Sequence, residues 1–453
     1  MESIILQNLE KFNSDIFFFF SEEHTFTDAE EYFPKRIKEL VRQLLVAYAE
    51  NYDKQLCEAK AERKEQGLVI ERKNDIRSIY TVFGKIDYKR TYFRNKKDEE
   101  YCYPLDDFMD VEARERVSHT VMKNLLNSAT KRSYQESVNL VTDGNISKQT
   151  VMNGIRRSYV CYSETDFKRK IDVLHVDADE DHVNLQTGKS SILPLVCTYE
   201  GIERNGKRGT CINRIDISEY GLTPDELWDE VSDRIDGRYI LDNTKIYVHG
   251  DGASWIKKAL DYLPNAVYVL DPYHKNKYIK ASTAGMKIED CRKFEERIRK
   301  SIYEGDKDEL ICIQGEMIDA YPERYENILE TTGYLISNFE SMHIRYIDPE
   351  AKNGGATEPH VSHILSSRFS SRPKGWSEET LTHFAPMVAA STFDFTRDNP
   401  CQTVEIGIKP LAKPKKTRYQ PGTLGLSDPD ISVSNPIVYQ NTGTYKALKP
   451  FFS

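Results

Sequence analysis

The sequence predicts an α/β protein whose core is preceded by a mostly helical region and interrupted late by a helical insertion. Three observations point there. Short apolar runs that lead into acids recur between 171 and 275, as strands of a sheet would. The stretches before residue 165 and from 280 to 350 instead repeat apolar residues at helical spacing. After Asn399 the chain turns rich in Pro, Gly, Ser and Thr, the composition of irregular structure.

The front of the chain reads as three regions. Residues 1–70 are helical: Ile37, Leu40, Leu44, Ala47 and Tyr48 can share one helix face, for packing or for an oligomer contact. Residues 71–110 form a basic hairpin. Tyr80, Val82, Ile86, Tyr88 and Tyr92 sit at even spacing, with Gly84 near the turn. Lys85 and Lys89 fall on the opposite face, while Arg90 and Arg94 share the apolar parity and are expected to reach past the edge of the buried patch. Residues 111–165 return to helices, with Val121, Leu125, Leu126 and Ala129 on one stripe. Ser133 followed by Glu136 reads as a capping box. Asn145 or Ser147 starts a third helix through Thr150, Val151, Ile155 and Val160. Two short helices about Thr142-Asp143-Gly144 suit a helix-turn-helix that binds DNA, and equally a plain helical bundle.

The core occupies 166–279. Strands are expected at Val173–Val176 and on to Leu185, at Ile192–Tyr199 and at Ile212–Ile217. A helix follows, opened by Thr223 as cap, Pro224 in its first turn and Glu226 in a capping box. Then come a strand at Ile246–Val248, a helix from Trp255 and a strand at Ala266–Leu270. This is the order of an RNase H-like core. Residues 280–350 form the helical insertion, 351–395 return to the core with one or two helices, and 396–453 are an irregular tail with a strand at Val404–Ile408.

A chain of 453 residues has room for two to four such units. Its 39% hydrophobic and 30% charged residues are those of an ordinary globular protein. There is no apolar run of about 18 residues, and the first 20 residues lack a basic start and a small-residue cleavage site. A cytoplasmic protein without membrane contact is the expectation. Eight cysteines make no CxxC. The net charge of −9 gives no global argument for nucleic acid. Locally, RKNDIRSIYTVFGKIDYKRTYFRNKK (72–97) and KPLAKPKKTR (409–418) are basic. Such patches hold phosphates, although solvated faces share the composition.

Asp179 and Asp251 stand at or just past strand ends, and Asp271 ends the next strand. Carboxylates converging from neighbouring strands suit hard divalent cations such as Mg²⁺, and two ions can drive phosphodiester cleavage. Strand-end acids also cap loops. Zinc is less well matched: His175, His182, His249, His274, His360 and His363 are present, but no Cys or Glu set has a recognised zinc spacing.

Four strings resemble an uncharacterised family of bacterial insertion-sequence transposases related to the Mutator type. They are FGKIDYKRTYFRNKK (83–97), HVDADEDHVNLQ (175–186), VHGDGASWIK (248–257) with VLDPYHKNKYI (269–279), and ATEPHVSHILSSRFSSRPKGWS (356–377). The resemblance implies a DDE transposase using Mg²⁺ or Mn²⁺. Asp179, Asp251 and Glu358 would be its carboxylates, with Asp177 the rival for the first position and Glu340 and Glu350 for the third. Asp271, His274, His360 and His363 would support the site. A metal-bound water would cut the element end, and the freed 3′-hydroxyl would attack target DNA. Lys85, Lys89, Arg90, Arg94, Lys96, Lys97, Arg368, Arg372 and Lys374 would hold double-stranded DNA, with a homo-oligomer as a further expectation. Thr357 and Pro359 depart from the family's small residue and Gly around the third acid. A catalytically inactive DNA-binding relative, or a nuclease that does not transpose, fits the same strings.

Overall fold

The computed structural model describes residues 2–97, 99–161, 167–206, 208–355, 357–371, 374–390 and 393–397. The chain forms two units, Met1–Glu405 and Ile406–Ser453, and every element below belongs to the first. The tail strand expected at Val404–Ile408 lies outside the described residues, as does the second basic stretch.

Three helices open the chain: α1 (Glu2–Phe20), α2 (Phe26–Glu58) and α3 (Lys60–Gln66). Thr25 and Asp28 form a capping box that starts α2, which satisfies backbone N–H groups left free at a helix start. A three-stranded antiparallel sheet follows, of β1 (Leu68–Thr81), β2 (Gly84–Asn95) and β3 (Tyr101–Cys102), with α4 (Pro104–Phe108) beside it. The hairpin is longer than the even spacing suggests, and its parity is not constant. Register shifts between Ile70 and Asp75 put Thr91 and Phe93, not Tyr92, with Ile86 and Tyr88 in the buried set. Val82 lies in the turn and is exposed.

The next three helices are α5 (His119–Ala129), α6 (Tyr134–Thr142) and α7 (Lys148–Arg156). Ser133 and Glu136 make the predicted capping box, and Ser147 caps α7. Between α6 and α7 the chain reverses through Asp143 at φ 50° and Gly144 at φ 77°, the left-handed region that Gly and Asp enter most cheaply. Val121, Leu125, Leu126, Val138, Val151 and Ile155 close the trio's shared core. Helix α7 stops at Arg156. Val160, expected to extend it, lies instead in β4 (Ser158–Cys161).

After β5 (Arg169–Lys170) comes the main sheet. Its strands are β6 (Val173–Asn184), β7 (Ser190–Tyr199), and, beyond the β8 (Gly201–Asn205) and β9 (Arg208–Ile212) hairpin, β10 (Ile215–Ile217). The predicted single strand over 212–217 is broken because Asn213 turns left-handed at φ 54°. Helix α8 (Pro224–Asp236) has the Thr223 and Glu226 capping box. It is followed by β11 (Tyr239–Ile240), β12 (Lys245–Gly250), the short α9 (Ser254–Lys257) and α10 (Ala259–Tyr262), and β13 (Ala266–Leu270). The five-stranded order is β10-β7-β6-β12-β13. The pairs β10–β7 and β7–β6 are antiparallel, and β6–β12 and β12–β13 are parallel.

Five helices follow: α11 (Pro272–Thr283), α12 (Ile288–Glu304), α13 (Lys307–Ala320), α14 (Tyr325–Ser337) and α15 (Phe339–Ile347). Then α16 (Thr357–Val361), a π-helical turn at Ser362–Ser366, α17 (Ser367–Phe369), α18 (Glu378–Ala389) and β14 (Asp394–Arg397) complete the described residues. β14 pairs with β4, more than 230 residues earlier. Alternation along β6 divides the core. Leu174, Val176 and Ala178 join α8 and the α11–α15 helices in one apolar cluster. Val183, with Leu193, Leu195 and Cys197 of β7, joins α5–α7 and α18 in another. The result is a mixed α/β fold with helices on both faces of its sheet.

Candidate functional site

The polar residues of β6 share a face. His175, Asp177, Asp179 and Asp181 are all buried, at every second position as the pleat requires. In the parallel pairing of β12 with β6, His249 lies opposite Asp177. Two residues further along lie Asp179, still within β6, and Asp251, just past the end of β12.

Asp177 is the centre of a buried network. Its Oδ1 accepts hydrogen bonds from the Tyr199 hydroxyl at 3.0 Å and the Gly355 N–H at 3.1 Å. Its Oδ2 lies 3.4 Å from Nδ1 of His360. That contact is an ion pair without hydrogen-bond geometry, since Nδ1 of His360 has no hydrogen-bond partner. Burial opposes charge on Asp177, but His360, His249 and the Gly355 N–H outweigh it and hold the carboxyl below its usual range. Burial likewise opposes charge on His360. There the Asp177 carboxylate and then the Cys211 sulphur, 3.7 Å from Nε2, prevail and raise it to about 9. Alongside, His175 Nδ1 and His249 Nε2 are 3.2 Å apart. Burial pushes His249 down to about 3 and lowers His175, so both rings are neutral near pH 7. Arg345 closes the edge, donating to the carbonyls of Gly354 at 3.2 Å and Lys352 at 3.3 Å.

The other expected acids are used locally. Asp179 Oδ1 accepts from the Glu180 N–H, and Asp251 Oδ1 from the Ala253 N–H, both at 2.8 Å. Asp271 caps α11 through the Tyr273 N–H, also at 2.8 Å, with His274 4.0 Å away. Glu358 lies in α16, and its side chain is outside the described residues. Glu340 and Glu350 are exposed. Among the described residues, no group of three or more His, Cys, Asp or Glu side chains is placed to hold a metal ion. This overturns the expected carboxylate cage, its Mg²⁺ or Mn²⁺, and the metal-dependent transposase or nuclease chemistry that rested on it. The physical reason is visible in the partners: Asp251 caps a turn, Asp271 caps a helix, Asp177 serves an internal ion pair, and Asp179, within β6, accepts from the next residue's N–H.

The expected DNA-binding residues divide. Lys85, Lys89, Lys96 and Lys97 are exposed, with Lys85 3.4 Å from Asp87. Arg90 instead turns inward to Asp106, which also receives Arg77 and Tyr88, and stacks 3.6 Å over Tyr103. Arg94 is half-buried, 3.8 Å from Glu71. Arg368 is buried, donates to the Ala129 carbonyl at 2.8 Å and lies over Trp376 and Phe384. Lys374 donates to the Arg368 carbonyl at 3.0 Å. His363 is exposed, and Arg372 lies outside the described residues. The reading from sequence gave Tyr199, Arg345 and Cys211 no part in a site. It noted His175 and His249 only as possible zinc ligands, although each stands two residues ahead of an acid.

Fold and site together define a mixed α/β protein with a buried Asp–His network under one sheet face. The chain belongs to the uncharacterised protein family UPF0236, whose family pattern matches residues 20–399. It is similar to UPF0236 proteins of Caldanaerobacter subterraneus subsp. tengcongensis. One is 34% identical over 395 residues, covering 85% of this chain and 83% of the relative. Another is 36% identical over 361 residues, covering 78% and 75%. A UPF0236 protein in the vanSb 3′ region of Streptococcus gallolyticus is 28% identical over 297 residues, covering 61% and 63%. Among the described residues no helix is long and apolar enough to cross a membrane.

Proposed function

We infer that this chain is a DNA-binding relative of the insertion-sequence transposases, acting by binding and not by metal-dependent strand cleavage. One observation carries the reading: a local reversal of charge. The whole chain has a net charge of −9, yet His119–Arg157, covering α5 to α7, holds six Lys and Arg against two acids. Lys131, Arg132, Lys148 and Arg157 of this unit are exposed. A duplex presents a phosphate charge about every 1.7 Å along its axis, and clustered cations bind it by releasing counterions.

Two further points support the lineage. Along the chain the main-sheet strands fall as three before α8 and two after it, which agrees with the RNase H-like reading of the sequence and supports it. Two of the Caldanaerobacter relatives each carry several designations under one name, four in one case and eleven in the other, as a gene repeated within one genome would.

Fluorescence anisotropy with the full chain and a labelled mixed-sequence duplex tests the reading. Binding should weaken steeply as salt rises, and adding Mg²⁺ or Mn²⁺ should produce no nicking. Absence of binding at low salt would sink the proposal. Metal-dependent nicking would restore the catalytic reading in its place.

A further inference from the structure

Helix α7 has two unlike faces. Val151, Gly154 and Ile155 are buried against α5 and α6. Gln149 and Asn153 are exposed and stand four residues apart, so they form one stripe along the helix, and Arg157, also exposed, follows as the residue that caps the C-terminal end of α7. The Gln149 side-chain amide donates to Asn153 Oδ1 at 2.9 Å, so the two amides are already aligned with each other. Lys148 flanks the stripe and is exposed.

The helix is held firmly from behind. A Cβ on Gly154 would come 2.4 Å from the Met122 sulphur, so α5 and α7 cross at closest approach there. Arg156 reaches across to Thr380, Ser377 and Glu379 at the start of α18. Asn145, in the turn before α7, donates to the Tyr80 hydroxyl and to the Thr142 carbonyl, which ties the turn to the hairpin. A reading element needs this rigidity, because base recognition depends on placing donors and acceptors within a few tenths of an ångström.

We propose that α7, with the Arg157 that caps its C-terminal end, reads base edges in the major groove of B-form DNA through Gln149, Asn153 and Arg157. This rests on the DNA-binding reading above and adds the residues that give it sequence preference. The chemistry is specific. Side-chain amides of Gln and Asn match the N6 donor and N7 acceptor of adenine, and the Arg fork matches O6 and N7 of guanine. The nine residues of α7 span about 13 Å, enough to face several base pairs in a groove about 12 Å wide. In a helix-turn-helix the second helix occupies the groove while the first crosses the backbone. The exposed Lys131 and Arg132, just before α6, suit that backbone role. Charge complementarity selects DNA as the occupant of this face. The stripe and its flanks carry no acid, and the unit's excess of cations opposes the sign of the rest of the chain.

The test is a selection of duplexes from a randomised pool by the full chain, followed by competition against unselected duplex. Wild type should enrich a motif containing adenine and guanine positions. The pair Gln149→Ala and Asn153→Ala should lose about 10- to 100-fold in preference for that motif. The salt dependence of binding to unselected duplex should stay as steep, because no phosphate contact is removed. Arg157→Ala should relax a different position of the motif from the amide pair. Unchanged melting temperatures would establish that the exposed substitutions leave the fold intact. If the variants enrich the same motif as wild type, or if wild type binds duplexes without enriching any motif, α7 does not read bases and the proposal fails while DNA binding stands. If wild type binds no duplex at all, both readings fail together.

Discussion

His360 places its Nδ1 3.4 Å from Oδ2 of Asp177, joining the short helix after the insertion to the central strand of the main sheet. Both residues are buried. The contact therefore matters more than a surface pair, because a buried charge stripped of its partner is expensive.

Asp177→Ala should destabilise the protein by about 3–5 kcal/mol. It removes the acceptor of the Tyr199 hydroxyl and of the Gly355 N–H, and it leaves His360 without its counter-charge. Urea unfolding of the variant measures this. A loss of under about 1 kcal/mol would mean the network is not a structural centre.

Two histidines set opposite limits on stability with pH. His249 is depressed to about 3 by burial, so the unfolded chain takes up its proton first. Its contribution is lost as pH falls below about 6.5, reaching about 2–3 kcal/mol by about pH 4.5. His360 is raised to about 9. Its contribution is full below about 6.5, declines above that, and is gone once pH passes through 9. Stability should peak between about pH 6 and 7. His249→Asn should flatten the acid limb and His360→Asn the basic limb of a stability–pH curve. An acid limb unaltered in His249→Asn would count against this account.

Gly354 allows His249 its position. A Cβ at Gly354 would sit 2.1 Å from Nε2 of that ring, which is itself buried and cannot swing into solvent. Gly354→Ala should cost about 2–4 kcal/mol through overpacking. In a His249→Ala background the same change should cost much less, since the ring it meets is gone. Additive effects in this double-mutant cycle would show that the two sites do not touch.

Arginines and lysines of the basic segments should behave as separate classes. Arg90→Ala and Arg368→Ala should each lower stability by roughly 2–4 kcal/mol, because both serve buried partners. Lys85→Gln and Lys89→Gln, both exposed, should stay within about 0.5 kcal/mol of wild type. Thermal and urea unfolding of the four variants, with the salt slope of duplex binding, checks both halves. An Arg368→Ala protein of normal stability but a reduced salt slope would return Arg368 to the DNA.

Local chemistry fixed what could be read without a structure. The capping boxes at Ser133 and Thr223 are four-residue features, and the helices and strands that follow them express the period of their own apolar residues. The order of strands and helices in the main sheet was legible for that reason, as was the helical character of 280–350. Tertiary structure decided the rest. Val160 reads as helical by spacing, yet it pairs as a strand with Phe395, a partner no local window contains. Arg90 and Arg368 read as phosphate contacts, yet Asp106 and an aromatic enclosure draw them inward. Asp177 reads only as a rival to Asp179, which with Asp251 reads as a strand-end acid. Only the fold gives the first a buried histidine and two hydrogen-bond donors, and gives the others neighbouring backbone N–H groups. A side chain's type sets which partners it needs, but its burial and the partners it finds come from residues far along the chain, and these determine its charge and its role.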